Sequence, residues 1–198
     1  MEIKNMFKYY RLLGALFLLA SSPLFARSLH LELQGFAGYG NGVLGSETSS
    51  PSLGQFGGAV TLGWMPFNET VGIGATSSYR WVNQYSDVDL TIGNRRGRLF
   101  VPIAPTLLIR LGSWLIAGDY YLMGDYEQTV AGATGSLTSY LKMTGFRARV
   151  AYSVTMQWMF GLYYERLASD QQQVGTVTTT LTNSFVLTQY GATLSYLF

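Results

Sequence analysis

The sequence has no cysteine and a single histidine, His30. That excludes disulfide staples and thiolate metal sites, leaves no His pair for a zinc site, and leaves one imidazole for any nucleophile–base arrangement. Charge is scarce. Asp, Glu, Lys and Arg make up 12% of the 198 residues, about half the share of an average soluble domain. Beyond residue 26, no apolar run approaches the ~20 residues that a membrane-crossing helix requires. The length allows one domain, with at most a small second one.

The first 26 residues differ from the rest. Lys4, Lys8 and Arg11 form a basic start, LLGALFLLA (12–20) is an apolar run, and Leu24-Phe25-Ala26 offers a small residue for cleavage. The pattern predicts a secretory signal peptide over 1–26 and one domain over 27–198; the run is too short for a spanning anchor. Of 13 basic and 11 acidic residues, the signal takes Lys4, Lys8, Arg11 and Glu2, leaving ten of each sign. With no surplus of positive charge, no nucleic-acid partner is expected. An exported chain without Cys must be held together by something other than disulfides. With 23 Gly, 14 Tyr and 4 Trp, few charges and no apolar helix, it reads as a barrel that crosses a membrane by strands.

Such a barrel needs apolar-out, polar-or-small-in alternation in segments of about ten residues. Leu29, Leu31, Leu33, Gly35, Ala37 and Tyr39 alternate with His30, Glu32, Gln34, Phe36 and Gly38. Similar alternation runs over 56–64, 71–81, 114–123, 145–154, 158–165 and 189–198. Over 99–111 the apolar set is Leu99, Val101, Ile103, Pro105, Leu107, Ile109 and Leu111. Pro102 and Pro105 lack the N–H a ladder needs, which predicts a bulge there. Eight segments give the expected fold, an all-β, eight-stranded, antiparallel up-and-down transmembrane barrel. Tight connections at 65–69, 112–113 and 154–156 alternate with long ones near 41–54, 82–95, 124–139 and 168–184, as periplasmic turns alternate with surface loops. Two aromatic girdles are expected on the outward register. Trp64, Trp114, Trp158 and Tyr152 mark the short-turn end; Tyr39, Tyr79, Trp81 and Tyr164 mark the long-loop end. A soluble barrel would instead need a polar exterior, and here the polar register is mostly Gly, Ala, Ser and Thr.

The last ten residues, QYGATLSYLF, carry a motif. Gln189, Gly191, Leu194, Tyr196 and Phe198 fit the pattern of a polar residue, Gly, two spaced apolar residues and a final aromatic. This resembles the C-terminal assembly signal of bacterial outer-membrane barrels. With the eight segments, the chain is similar in architecture to the small barrels of the OmpA/OmpX type. The resemblance implies a Gram-negative outer membrane, contact with its lipids, insertion by the barrel-assembly machinery through the last strand, and a monomer.

Few motifs carry chemistry. Gly40–Gly45 spells G-x-G-x-x-G, but a turn-rich loop follows where a dinucleotide site needs a helix. Asn68-Glu69-Thr70 is a glycosylation sequon in an expected periplasmic turn. His30 starts the first strand, far from the surface leaflet, and Asp125 and Glu127 are an acidic pair with nothing distinctive in their spacing. No enzyme activity, cofactor or metal is therefore expected. The inward register is more informative. Glu32, Asp119, Arg147, Arg149 and Glu165 fall on it, and buried charges must pair or meet water. An eight-stranded barrel is just wide enough for side chains to fill, so a salt-bridged plug is expected, with Arg147 and Arg149 clamped by Asp119 and Glu165. Specific activity then falls to the loops. DQQQVGTVTTTLTN (170–183) predicts a projecting hairpin whose edge captures a partner, with Tyr126 and Glu127 adding contacts. The readings this leaves open are surface interaction with host or envelope proteins, a structural envelope role, an OmpW-like conduit or small pore for small solutes and, last, a lipid A-modifying enzyme.

Overall fold

A sheet with an apolar outer face and a polar inner face loses its unpaired edges only by closing. The computed structural model describes residues 29–44, 52–67, 69–85, 95–130 and 137–198, and over these the sheet closes. The expected signal peptide, over 1–26, lies outside the described residues. The strands are β1 (Leu29–Leu44), β2 (Ser52–Phe67), β3 (Val71–Tyr85), β4 (Arg95–Leu111), β5 (Trp114–Tyr121), β6 (Asp125–Val130), β7 (Leu137–Leu141), β8 (Thr144–Ser153), β9 (Trp158–Val174) and β10 (Val177–Leu197). All pairings are antiparallel, and β10 pairs with β1 from Glu32↔Leu197 to Leu44↔Phe185, which completes the barrel.

The ten strands make eight staves. β5 and β6 both pair with β4, and β7 and β8 both pair with β9, so each of these couples is one bent stave. The two bends sit side by side. The Met143 N–H donates to the Gly124 carbonyl at 2.7 Å, and Lys142 takes a positive φ of 52°. Two stretches expected as loops are therefore largely paired strand: β6 with β7, and β9 with β10 across a turn at Gly175 (φ 62°). β9 has 17 residues and β10 has 21, against the ~9–11 a tilted strand needs to span, so both project beyond the belt.

The proline strand behaves as its chemistry requires. Between Thr76 and Ser78 the β3–β4 register shifts by one residue, the bulge predicted at Pro102 and Pro105. The extra residue inverts the alternation above it. Leu99 and Val101, expected on the outward set, are fully buried inside, and Phe100 faces out instead. The ladder from β4 toward the neighbouring stave is also interrupted: Phe100 is the last residue paired with β6 and Thr106 the first paired with β5.

The interior is layered. At the short-turn end Met65, Leu108, Leu115, Ala117, Ala151 and Met159 pack together. At the long-loop end a second cluster includes Leu53, Val82, Leu99, Val101, Met143, Leu167 and Leu187. It carries a stack of three rings: Tyr140 lies 3.9 Å from Phe185 and Tyr126 lies 5.8 Å from it, all nearly parallel. The charged side chains lie between these two apolar layers.

Candidate functional site

All five lumen residues expected from the alternation are buried: Glu32, Asp119, Arg147, Arg149 and Glu165. The structure adds a sixth, Arg80 on β3, and three ion pairs result. Arg147 Nε donates to Asp119 Oδ2 at 2.7 Å. Arg149 holds both carboxylate oxygens of Glu32, with Nη2 donating to Oε2 at 2.8 Å. Arg80 is bound to Glu165. The expected partners thus rearrange: Glu165 takes Arg80 rather than an arginine of β8, and Arg149 reaches Glu32 on β1. Three cations then meet three carboxylates. Counting the inward register would have found this, because two arginines left one acid unmatched and Arg80 sits on the same register.

Neutral groups complete the layer. The Tyr121 hydroxyl accepts from Arg80 Nη2 and donates to Glu165 Oε2, each at 2.8 Å. Thr106 donates to Asp119 Oδ1 at 2.8 Å. Neighbouring hydroxyls of Thr61, Thr76 and Thr106 stand 2.8 Å apart, and Gln34 Nε2 donates to Thr61 at 3.0 Å. The row runs from Gln34 to the Asp119 carboxylate, whose Oδ1 Thr76 also reaches at 3.2 Å. The Phe36 ring lies between two guanidinium groups, 4.9 Å from Arg80 and 5.8 Å from Arg147, in cation–π range. Below, His30 Nε2 contacts Glu32 at 3.1 Å. His30, Glu69 and Arg110, with Met65, Leu29, Leu197 and Phe198, line a cavity of about 50 Å³ at the short-turn mouth.

Outside, the barrel carries an apolar belt that includes Leu33, Val60, Leu62, Ile73, Ile103, Leu107, Val150 and Leu162, all exposed. The girdle aromatics meet across strands. Trp114 packs on Tyr152 at 5.0 Å and Trp158 on Tyr196 at 5.1 Å at one level. Phe56 stacks on Trp81 at 5.2 Å, Tyr79 meets Trp81 edge-on at 4.9 Å, and Tyr39 approaches Tyr190 at 6.2 Å at the other. Trp64 lies outward at the first level; Tyr164 lies at the second, 5.9 Å from Phe146. Trp64 and Phe56 are eight residues apart on β2, about 20 Å along the axis of a strand tilted by ~40°, close to the ~25 Å band of such barrels. No helix of the described residues is long and apolar enough to cross a membrane.

No protein-family model matches the sequence, and no curated protein matches it. Solved structures do. Neisserial surface protein A (NspA) superposes with a TM-score of 0.55 at 12% identity, covering 85% of this chain and 97% of that one. The outer membrane protein OprG from Pseudomonas aeruginosa gives 0.50 at 11%, covering 86% and 96%. The chain has the fold of the small outer-membrane β-barrels. Identity this low speaks to fold alone, and the belt with its two girdles is what such a fold presents to lipid.

The residues of the last-strand motif divide between two surroundings. Gln189 is fully buried in the lumen, and Gly191 lies opposite Gly38 in the β1–β10 ladder. Leu194 and Phe198 are exposed on the outer face, with Tyr196 at 4.8 Å from the Phe198 ring. The Phe198 N–H donates to the Leu31 carbonyl at 3.0 Å. Tyr126, expected to offer surface contacts, is fully buried, because β6 continues the barrel wall between β4 and β7 and turns Tyr126 and Gln128 to the interior; Glu127, next to it, is exposed. Tyr126 was not legible from loop composition; Tyr121 falls on the inward register of β5 with Asp119, but its place between Arg80 and Glu165 was not legible from spacing.

Proposed function

We propose that the protein acts at the cell surface as an interaction barrel: a closed, side-chain-filled stave ring that presents the β9–β10 hairpin to an extended segment of a partner protein. The single observation that carries this reading is the bare upper edge of β10. β1 pairs with β10 only as far as Phe185, so from Val177 to Ser184 the β1-facing edge has no partner among the described residues. Natural edges are usually blunted by Lys, Pro or covering segments. Residues 177–183 read VTTTLTN, with no charge and no proline, and Val174 and Val177 are exposed at the tip. Such an edge suits strand addition, with main-chain bonds for affinity and alternate side chains for selectivity. Host or envelope proteins are the partners this role requires. Replacing residues 170–183 by a short Gly-containing turn will abolish capture of the partner identified with the intact barrel, while heat-modifiable gel mobility stays normal. Undiminished binding by the replaced variant would reject the hairpin.

A filled lumen has a second consequence. Reconstituted in planar bilayers, the protein will show no steady open-channel conductance, since three ion pairs and two apolar layers occupy the bore. A stable open level would refute the filling. A second reading has its own observation in the interrupted ladder at residues 101–105. Exposed Ile103, Tyr120, Leu122 and Met123 flank the interruption outside, and buried Val101, Ala104, Tyr121 and Met143 line it inside. A sideways route for small apolar solutes between lipid and the upper lumen would use this seam. Vesicle uptake of such a solute without bulk conductance would favour that route over a purely surface role.

A further inference from the structure

The three fully buried arginines are each ion-paired. The cations on the outer wall are arranged differently. Arg96 and Arg98 on β4, Lys142 at the β7–β8 bend and Arg166 on β9 are all exposed, and none of the four is in an ion pair among the described residues. They are also confined to one sector. β1, β2 and β10 contain no Lys or Arg, and β3 has only the inward Arg80. β4, the β5–β6 stave, the β7–β8 stave and β9 are consecutive around the barrel, so the four cations share one side of it.

Their height is as specific as their sector. Arg98 is two residues above the outward Phe100 on β4, and Arg166 two above the outward Tyr164 on β9. Lys142 lies four above the outward Phe146, whose ring is 5.9 Å from Tyr164. Two residues of strand rise about 7 Å, the step from the aromatic girdle into the headgroup zone. Asp125 and Glu127 lie between the cations, and Asp170 is higher and bonded to Ser184. Four cations against two nearby carboxylates leave the band positive. Unpaired cations directly above an aromatic, apolar wall match an amphiphile with an anionic head and hydrocarbon tails.

We propose that this sector is a binding site for a phosphate-bearing lipid of the surface leaflet. Arg96, Arg98, Lys142 and Arg166 contact its phosphates, and Phe100, Ile103, Phe146, Leu162 and Tyr164 contact its acyl chains. The partner is lipid rather than free phosphate, because the exposed cations of the described residues stand together directly above the apolar belt.

Purified barrel in zwitterionic detergent, titrated with bisphosphorylated lipid A and followed by native mass spectrometry, will bind it preferentially over its dephosphorylated form. The variant Arg96→Gln, Arg98→Gln, Lys142→Gln, Arg166→Gln will bind at least tenfold more weakly. Arg110→Gln, at the opposite mouth, will bind as the parent does. Should the fourfold variant fail to fold, the two double variants (β4 pair; Lys142 with Arg166) will each lose part of the affinity. Equal affinity for phosphorylated and dephosphorylated lipid would overturn the proposal. So would unchanged binding by folded variants, or displacement of the lipid by millimolar inorganic phosphate.

Discussion

Glu165→Ala will destabilise the barrel by about 3–5 kcal/mol, the usual consequence of removing one partner of a buried ion pair. Arg80 has no exposure to solvent and would keep its charge without a counter-ion. Tyr121 would lose the acceptor of its proton at the same time. The position of the charged layer sharpens the effect. With apolar clusters on both sides, water has no ready path to solvate an orphaned guanidinium, and the low local dielectric makes the unpaired state costly. Urea unfolding of the protein in detergent micelles will show the loss as a lower midpoint. Glu165→Gln, which keeps the shape and an acceptor, will fall between wild type and the alanine variant. The double variant Arg80→Met, Glu165→Leu removes both charges and will recover most of the stability, because the penalty arises from the unmatched charge rather than from loss of an attractive pair. An alanine variant within about 0.5 kcal/mol of wild type, the range of ordinary surface substitutions, would show that Arg80 finds another partner.

The alternation by twos made most of this wall legible. It depends only on a strand having two different surroundings, so β1, β2, β5, β8 and the lower part of β9 could be read residue by residue. It fails where the strand stops being regular. At Pro102 and Ile103 one extra residue inverts the phase, and no pattern of apolar residues marks where the inversion falls. Leu99 and Val101 therefore read as lipid-facing although they are core. Composition misled in the upper third for a different reason. Thr, Gln, Gly and Ser suggest loop, yet 125–130, 137–141 and 171–180 pair as strands because their neighbours supply the ladder. Tyr126, Tyr140 and Phe185 become interior only once those strands pair as a continuation of the wall. The ion pairs were legible as a set and not as couples. Register places Arg147 opposite both Asp119 and Glu165, whereas the choice between partners is made across the bore, where sequence gives no distance.

The layered interior also separates what closes the barrel from what is done with it. The ion pairs link β1 with β8, β3 with β9 and β5 with β8, so they tie staves across and beside one another in the middle of the wall. The β10 edge that has no partner among the described residues and the outer cation band both lie above that layer. Changes there should leave the closed ring intact, which is why binding and folding can be measured as independent quantities in the variants proposed.

Gly191→Val will prevent closure of the ring even in the absence of any assembly machinery. Gly191 pairs with Gly38 at the seam where the last strand meets the first. A Cβ at 191 would lie 2.1 Å from the Ala37 carbonyl oxygen and 2.5 Å from the Gly38 Cα; one at 38 would lie 2.0 Å from the Tyr163 hydroxyl. The atoms in the way of residue 191 are backbone, which cannot swing aside. The seam is this tight because Tyr163 lies against it on the inside, held by Gln55 at 2.5 Å and packed edge-on against Phe36 at 5.9 Å. Forcing a branched side chain into the seam costs at least the ~1–3 kcal/mol typical of overpacking, and it does so at the one ladder that converts an open sheet into a barrel. Phe198 offers the contrast. The residue is 70% exposed, so Phe198→Ala removes only contacts on the outer face and at the rim of the short-turn mouth. Refolded from urea into detergent micelles, Phe198→Ala will reach the wild-type folded fraction, whereas Gly191→Val will remain largely unfolded on a heat-modifiability gel. Expressed in cells, both will fail to accumulate in the outer membrane, the first for want of recognition by the assembly machinery and the second for want of a seam. Normal refolding of Gly191→Val would show that the strands can part to admit the side chain. Normal insertion of Phe198→Ala in cells would reduce the C-terminal motif to a strand that merely faces lipid.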